Sequence, residues 1–478
     1  MQRRFFVLPV IATLCLTTKA LGSENSASVK PNVVIIFTDD QGYQDLGCYG
    51  SPKIKTPNID KMAEEGIRFT DFYVAASVCT PSRASLLTGK YSFGNGVGGV
   101  VFPDRKGMDS EQVTLAEVLK TAGYATACFG KWHLGDLEDN LPINQGFDEY
   151  FGIPYSNDMF IGASHKFADN VAFRDGYTLE KAKEDQKFIK ENYSDRKKIA
   201  DRGIKELVPL FEGNKIVEYP CNQATLTKRF FDRAIKFIEN NNDKPFFIYL
   251  TPAMPHVPLF ASERFENSSE RGLYGDVIEE IDWYVGELIQ YLEKNNLDKN
   301  TIIIFTSDNG PWLGYGDHAG SAEPLRDGKF TNYEGGVRVP CVMYWPGQWD
   351  SGKVSHEIVS TVDFFPTITN YAKAKYHSVH GIDISFHLEN TNNKLSRDYV
   401  LYTKNTDVYG IRKGDWKYLP YSGDRFADKE KPLPQLFNLK DDISEKTNLY
   451  DTHPDIVRML AEEMLKIEMK LNQKYESE

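Results

Sequence analysis

One cysteine, Cys79, stands immediately before a Thr-Pro pair that is typical of a helix start, and Arg83 follows four residues later. We expect Thr80 to cap a helix over residues 82–87, with Pro81 in its first turn. A helix amino end carries unpaired N–H groups that favour an anion, and Arg83 can donate to the same anion. The stretch indicates a reactive side chain beside a bound oxyanion. Taken alone, it leaves open a buried small side chain beside a structural arginine.

Two clusters of oxygen-bearing side chains follow apolar runs. Asp39 and Asp40 close "NVVIIFTDD", and Asp308 and Asn309 close the similar run "TIIIFTSDNG". Adjacent carboxylates repel each other unless a cation or a proton lies between them. Because the set offers oxygen donors and no thiolate or close histidine pair, it predicts a hard cation, Ca²⁺ or Mg²⁺, rather than Zn²⁺. The alternative is that the two aspartates only cap the next turn.

The sequence also offers cationic side chains and two histidines that could act at the same site. Lys131, Lys329 and Arg83 supply enough charge to hold an oxyanion. His133 and His256 occur in "GKWHLG" and "PAMPHVP", directly after apolar runs, and can move protons near neutral pH. Each histidine alone could be structural, but their shared placement favours one site.

The apolar runs before these residues predict a parallel sheet. "NVVIIFT", "YATACFGK", "KPFFIYLT" and "TIIIFTS" are continuous, as in strands that are buried on both faces. Helical stretches alternate with them, which indicates an α/β fold. Because ligands of such folds bind beyond the carboxyl ends of the strands, we expect the polar clusters and Cys79 to converge on one rim. The predicted helices cover residues 56–65, 82–87, 115–121, 225–239 and 275–293.

The texture of the sequence changes near residue 386. We predict a catalytic domain over residues 31–385, a large mostly parallel sheet sandwiched by helices, and a smaller α+β subdomain over residues 386–478. The segments "DYVLYTKN", "VYGIRKGDWKYLPY" and "PQLFNL" predict a four-stranded antiparallel sheet in that subdomain. The last helix, which Pro454 opens, carries an apolar stripe that is expected to pack on the core.

Composition excludes several classes of partner. The chain has 478 residues, which suits one large domain and a smaller one. Its formal net charge of −12 does not attract nucleic acid, and no block of basic residues suggests a nucleic-acid groove. An anionic substrate therefore needs a local basic pocket in an acidic protein. The charge-rich segment 181–206 is expected to be a solvated surface helix.

The first residues predict export. Two arginines precede an apolar run and small residues follow it, as in a secretory signal peptide, which we place at residues 1–22. This run is too short to span a membrane, and no membrane-spanning segment is expected elsewhere. Lipid anchoring at Cys15 is not favoured, because Leu14 is bulky where such signals need a small residue. We expect a secreted or periplasmic protein.

Together the motifs resemble one family. Cys79, Pro81 and Arg83 fit the Cys-x-Pro-x-Arg signature of the formylglycine-dependent (type I) sulfatases, which belong to the alkaline-phosphatase-like superfamily. "TDDQGYQDLGCYG", "GKWHLG", "TSDNGPW" and "GKFTNYEGGVRVP" match the same family in the same order. The resemblance runs from residue 31 to the carboxyl end. It is greatest to the branch of arylsulfatase A and N-acetylgalactosamine-6-sulfatase.

The resemblance implies a modified residue and a metal ion. A formylglycine-generating maturation enzyme would oxidise Cys79 to 3-oxoalanine (formylglycine), whose hydrate is the nucleophile. One Ca²⁺ per chain would contact the modified Cys79. The side chains that would hold this ion are Asp39, Asp40, Asp308 and Asn309.

It also implies roles for five further side chains. Lys131 and Lys329 would bind the sulfate oxygens, and Arg83 the formylglycine hydroxyl. His256 would protonate the departing sugar oxygen. His133 would take the proton from the second hydroxyl of the hydrate, which expels sulfate.

The implied activity is hydrolysis of sulfate esters on a carbohydrate, of galactose or N-acetylgalactosamine type. His318 and Arg326 are candidates for contacts with sugar hydroxyls or a second anionic group, and a scaffold role stays open for both. Residues 152–159 and Trp312 are further candidates for the pocket. Two alternatives are a phosphodiester or phosphonate monoester hydrolase of the same superfamily and a carbohydrate-binding protein without catalysis. The intact set of acid, base, metal and cationic residues argues against the latter.

Overall fold

The computed structural model describes residues 30–376 and 378–473, so the predicted signal peptide and Cys15 lie outside the described residues. Among the described residues, no helix is both long and apolar enough to cross a membrane. The strands are β1 (Asn32–Thr38), β2 (Ile67–Phe69), β3 (Phe72–Tyr73), β4 (Ala125–Lys131), β5 (Glu149–Ile153), β6 (Phe167–Phe173), β7 (Leu210–Glu212), β8 (Lys215–Tyr219), β9 (Phe246–Thr251), β10 (Thr301–Ser307), β11 (Cys341–Tyr344), β12 (Lys353–Ser355), β13 (Val359–Ser360), β14 (Tyr399–Lys404), β15 (Asp407–Lys413), β16 (Trp416–Leu419) and β17 (Gln435–Asn438).

Helices alternate with the strands of the first part of the chain, and all five predicted helices are present. The helices are α1 (Pro57–Glu65), α2 (Cys79–Thr88), α3 (Ser92–Asn95), α4 (Leu115–Thr121), α5 (Leu179–Asn192), α6 (Arg196–Asp201), α7 (Leu226–Asn240), α8 (Leu273–Lys294), α9 (Glu334–Val337), α10 (Phe364–Tyr371), α11 (Ser385–Glu389) and α12 (Pro454–Gln473). The charge-rich segment forms α5 and α6.

The four predicted apolar runs are neighbouring strands of one sheet. Its eleven strands have the order β12-β2-β11-β10-β1-β9-β4-β5-β7-β8-β6. Strands β10, β1, β9, β4 and β5 are mutually parallel, and Val34 of β1 lies opposite both Ile303 and Ile248. The strands towards both edges are mixed in direction. The prediction of a mostly parallel sheet is confirmed.

Alternate side chains of the central strands enter two separate cores. Val33 and Ile35 of β1 pack in a cluster with apolar residues of α2, α4 and α10. Val34 and Ile36 pack in a second cluster with residues of α1, α7 and α8. Because both faces of the sheet are covered, every residue of β1 is buried, which explains the continuous apolar runs in the sequence.

A second sheet follows near the carboxyl end. Strands β14 to β17 form a four-stranded antiparallel sheet in sequential order, as predicted, and α12 packs on it through Leu460, Met464, Ile467 and Leu471. The predicted boundary between residues 385 and 386 falls within α11 and stays a prediction.

A buried ionic cluster joins the two sheets. Lys417 Nζ of β16 lies 3.0 Å from Glu334 Oε1 and 2.7 Å from Glu445 Oε1, and all three side chains are fully buried. The backbone N–H of Glu334 donates to Glu445 Oε2 at 2.7 Å. Glu334 opens α9 shortly after Lys329, so the cluster fixes the segment that carries Lys329 to the carboxyl-terminal sheet.

Replacing Lys417 by Met is expected to lower the free energy of unfolding by about 3–5 kcal/mol, because Glu445 is left buried without its cation and Glu334 keeps only Arg338 as a salt-bridge partner among the described residues. Urea unfolding measures the loss. Lys413→Met is the matched control, since Lys413 pairs with the exposed Asp398 and should cost about 1 kcal/mol or less. Equal losses in the two variants would contradict this account of the cluster.

Candidate active site

The carboxyl ends of the central strands bring the predicted residues to one rim of the sheet. Asp39 and Asp40 follow β1, Asp308 follows β10, Lys131 ends β4, and His256 lies beyond β9. Asp40 adopts a left-handed backbone conformation with φ of 63°, which turns the chain sharply at the strand end. The rim predicted from the sequence is therefore the place where these side chains meet.

The acidic and amide side chains lie in direct contact. Asn309 Nδ2 donates to Asp40 Oδ1 at 2.6 Å, and the backbone N–H of Asp40 donates to Asp308 Oδ1 at 3.2 Å. One oxygen each of Asp39 and Asp40 and one ring nitrogen of His256 lie within 4.8 Å of one another. These residues form a compact set of donor atoms.

Each carboxylate faces a cationic side chain. Lys131 Nζ lies 2.5 Å from Asp39 Oδ2, and Lys329 Nζ lies 2.6 Å from Asp40 Oδ1. Arg83 Nη2 lies 2.8 Å from Asp308 Oδ2. All of these side chains are buried, so their charges act on one another through a medium of low polarity.

The pKa values of Asp39 and Asp308 are shifted in opposite directions. Burial alone would raise the pKa of Asp39, but the positive charge of Lys131, with smaller contributions from His256 and Arg83, holds that pKa well below its usual range. Burial and the charge of Asp39 raise the pKa of Asp308 despite the neighbouring Arg83. The three carboxylates and the three cations therefore form one tightly coupled set of charges.

Two orphaned oxygens show that the residues fit a cation. Asp39 Oδ1 and Asn309 Oδ1 are buried, and neither accepts a hydrogen bond from any residue that the structure describes. A buried polar atom without a partner is costly, and a hard cation satisfies oxygen donors of this kind. The donor set agrees with Ca²⁺ or Mg²⁺ rather than a thiophilic metal.

Cys79 lies in the first turn of α2, but the expected Thr80 cap is wrong. The helical hydrogen bonds begin at the carbonyl of the extended Val78, to which Ser82 N–H donates at 3.2 Å. Thr80 is therefore already inside the helix, and its Oγ1 accepts from the N–H of Val101 at 3.2 Å.

Cys79 is only 2% exposed. Burial raises the pKa of this thiol, although Lys131 and Lys329 act in the opposite direction. A buried thiol with a raised pKa is a poor nucleophile in its unmodified form.

The ring of His133 presents an unprotonated nitrogen within the site. Its Nε2 lies 3.0 Å from the carbonyl oxygen of Val101, which only accepts, so Nε2 carries the proton. Nδ1 is buried and has no hydrogen-bond partner among the described residues. Burial, together with the charges of Lys131 and Arg83, lowers the pKa of His133 well below its usual value, which keeps the ring neutral and suited to accept a proton.

His256 has the opposite tautomer, fixed by a residue whose role the sequence did not reveal. Its Nδ1 donates to the Val257 carbonyl at 2.6 Å and to Asn157 Oδ1 at 3.1 Å, which leaves Nε2 on the site side, 3.7 Å from Asp40 Oδ2. The Asn157 amide donates in turn to Gln223 Oε1 at 3.0 Å. Burial and the charge of Lys329 lower the pKa of His256.

A cavity of about 680 Å³ opens beside Lys329. Its walls come from residues 312–314 and 327–331 and from a segment of the carboxyl-terminal subdomain, residues 422–433, that sequence analysis missed. Trp312 is half-buried, and its ring centroid lies 4.7 Å from Lys329 Nζ. Trp312 therefore contacts a residue of the candidate site.

Among the described residues, neither His318 nor Arg326 forms a hydrogen bond or ion pair with this cluster. His318 is exposed in a 3₁₀ segment. Arg326 Nη1 donates to the Glu445 carbonyl at 2.8 Å, and its guanidinium lies 3.7 Å from the Tyr333 ring centroid. These contacts favour a scaffold role for Arg326. Most residues of the predicted rim segment 152–159 are buried, and Asn157 in this segment accepts a hydrogen bond from the His256 ring.

Comparisons with known proteins identify the relatives of the chain. Residues 31–374 match the family described as Sulfatase, and residues 326–470 match the family described as N-sulphoglucosamine sulphohydrolase, C-terminal. The chain is 34% identical to arylsulfatase A of Bos taurus, over 95% of this chain and 90% of that protein. It is 32% identical to N-acetylgalactosamine-6-O-sulfatase of Bacteroides thetaiotaomicron, over 95% of this chain and 97% of that protein.

Two solved structures share the fold at 28–32% identity. The PsFucS1 sulfatase from Pseudoalteromonas sp. superposes with a TM-score of 0.76 at 28% identity, over 93% of this chain and 91% of that one. Ps i-CgsB, in complex with k-i-k-neocarrahexaose, superposes with a TM-score of 0.72 at 32% identity, over 91% of this chain and 92% of that one. By its sequence relatives, its alkaline-phosphatase-like fold and the extent of the match, the chain belongs to the sulfatase family and is a sulfatase.

Proposed function

We propose that this sulfatase hydrolyses sulfate esters of a carbohydrate through a formylglycine formed from Cys79 and with one bound Ca²⁺. The observation that carries the proposal is the position of Cys79, in the first turn of α2 among Lys131, Lys329 and the acidic cluster. One relative is named N-acetylgalactosamine-6-O-sulfatase, which supports a sugar of galactose or N-acetylgalactosamine type.

The four residues that would hold the Ca²⁺ are Asp39, Asp40, Asp308 and Asn309. Asp39 and Asn309 supply the two orphaned oxygens. When bound, the ion supplies positive charge that polarises the sulfuryl group and lowers the pKa of a nearby hydroxyl. Lys131 and Lys329, which here pair with Asp39 and Asp40, would then be free to bind the sulfate oxygens through their ammonium groups.

The modified Cys79 supplies a hydrated aldehyde, in which one hydroxyl attacks sulfur and the other later loses its proton as sulfate departs. This explains why an inert buried thiol occupies the centre of the site: the thiol is the precursor of the nucleophile. Arg83, paired with Asp308 and fully buried, orients that residue from within the same helix.

The two histidines have complementary tautomers for the two proton transfers. In its doubly protonated form, which the nearby carboxylates of Asp39 and Asp40 favour, His256 donates the proton on Nε2 to the leaving sugar oxygen and returns to the neutral ring, while Asn157 and the Val257 carbonyl hold Nδ1–H. His133 accepts a proton at Nδ1, because Nε2 is occupied by the Val101 carbonyl. Maturation by a formylglycine-generating enzyme and export through residues 1–22 complete the proposal.

Replacing Cys79 by Ala is expected to reduce sulfate release from N-acetylgalactosamine 6-sulfate by about 10⁴-fold or more, because the nucleophile is lost. Ion chromatography of free sulfate measures it, with Cys221→Ala, another buried cysteine, as the matched control. In the active wild-type enzyme, mass spectrometry of tryptic peptide 69–83 should show an aldehyde in place of the thiol. Full activity with an intact thiol, or faster turnover of an aryl phosphonate ester than of the matched aryl sulfate, would contradict the proposal.

Removing divalent ions with EGTA is expected to lower kcat/KM by about 10²-fold, because buried charge stabilisation of the transition state is lost. Added Ca²⁺ should restore activity, and Zn²⁺ should not. Asp308→Asn should weaken Ca²⁺ binding in calorimetry. Asp45→Asn, a buried acid that accepts from Gly42 N–H and the Tyr274 hydroxyl, should bind Ca²⁺ normally. Unchanged activity after complete chelation would count against a resident metal.

Replacing His256 by Ala is expected to lower kcat by about 10²–10⁴-fold for a sugar sulfate and far less for nitrophenyl sulfate, because a phenolate leaves without protonation. Asn157→Leu should show the same dependence on the leaving group with a smaller loss, since the ring remains but is no longer oriented. Steady-state kinetics on both substrates provide the comparison. If both substrates slowed equally, His256 would not be the acid.

A further inference from the structure

The cavity beside Lys329 contains a cation that the proposed chemistry does not use. Arg425 lines this cavity and belongs to the carboxyl-terminal segment 422–433. Across residues 30–376 and 378–473, no carboxylate forms an ion pair with Arg425. An arginine without an acidic partner on the wall of a substrate cavity has its donors available for a ligand.

Both Arg425 and Lys329 lie close to the ring of Phe330, which limits the distance between the two cations. Arg425 Cζ lies 4.0 Å and Lys329 Nζ 5.6 Å from the centroid of Phe330, so the two cations are less than about 10 Å apart. Phe330 is itself held rigidly, with φ of 74° and its N–H bonded to the Ser77 carbonyl at 2.9 Å. An anion at Lys329 and another at Arg425 would thus be separated by the span of one or two sugar rings.

The rest of the cavity is suited to a sugar. Phe426 is 87% exposed and Leu433 65% exposed on the same wall, and both offer apolar surface on which a sugar face can stack. Asp327 and Asp424 offer oxygens to sugar hydroxyls. Asp428 and Lys431 also line the cavity, so its charges are mixed in sign, and Arg425 is the cation there that can bind an anion through a planar pair of N–H donors.

We propose that Arg425 binds a second anionic group of the substrate, so that the enzyme prefers saccharides with another sulfate near the sulfate ester that it cleaves. The guanidinium binds a sulfate through two parallel N–H···O bonds, which a neutral sugar hydroxyl cannot match. The inference rests on the proposed function, since that function places the cleaved sulfate at Lys329.

The test measures binding, so that it does not depend on turnover. In the Cys79→Ala protein, calorimetry compares three galactosamine-type disaccharides: one with a single 6-sulfate, one with a second sulfate on the same sugar, and one with a second sulfate on the neighbouring sugar. We expect at least one disulfated probe to bind about tenfold more tightly than the monosulfated probe. Arg425→Gln should abolish that preference.

Lys429→Gln is the matched control, because Lys429 lies in the same segment, pairs with Asp407 at 3.0 Å and does not line the cavity. It should retain the preference. Equal affinity for mono- and disulfated probes would overturn the inference, as would an Arg425→Gln variant that weakens all probes equally. Sulfate release by the unmutated enzyme is measured separately: its absence would refute the proposed function, whereas the binding preference would still decide the role of Arg425.

Discussion

Asp39, Asp40 and Asp308 can be buried together only because Arg83, Lys131 and Lys329 are buried with them. Removing an ion from water costs several kcal/mol, and this cost is recovered only when opposite charges meet in good geometry. Every element that supplies one of these charges must therefore be placed accurately. For this reason the same small volume contains the carboxyl ends of the central parallel strands, the first turns of α2 and the segment before α9.

The carboxyl-terminal subdomain takes part in this arrangement. Lys417 and Glu445 hold the start of α9 through Glu334, and Lys329 stands only a few residues earlier in the chain. The same subdomain also forms one wall of the cavity beside Lys329. The second sheet thus both supports a site residue and shapes the space that a substrate would occupy.

Much of this arrangement was predictable from the sequence because it is local. Continuous apolar runs specify buried parallel strands, and residues directly after such strands must share a rim, which placed Asp39, Asp308, Lys131 and His256 correctly relative to one another. The start of α2 was misjudged, because Thr80 has the chemistry of a cap while backbone geometry assigns that place to Val78.

Contacts between distant segments were beyond prediction. Asn157 supports His256 across 99 residues of sequence, and no local pattern marks such a pair. Residues 422–433 reach the cavity only because the second sheet packs against the first. Arg326 likewise donates to the carbonyl of Glu445, which is distant in sequence, and this contact favours a scaffold role for the arginine.

A crystal structure of the Cys79→Ala protein grown with Ca²⁺ and a sulfated galactosamine disaccharide tests the central claim most directly. The account predicts one cation in contact with Asp39, Asp40, Asp308 and Asn309. It also predicts that Lys131 and Lys329 have moved from these carboxylates to the oxygens of the sulfate. Lysines that remain paired with the carboxylates, with no ion between them and the sulfate bound elsewhere, would contradict it.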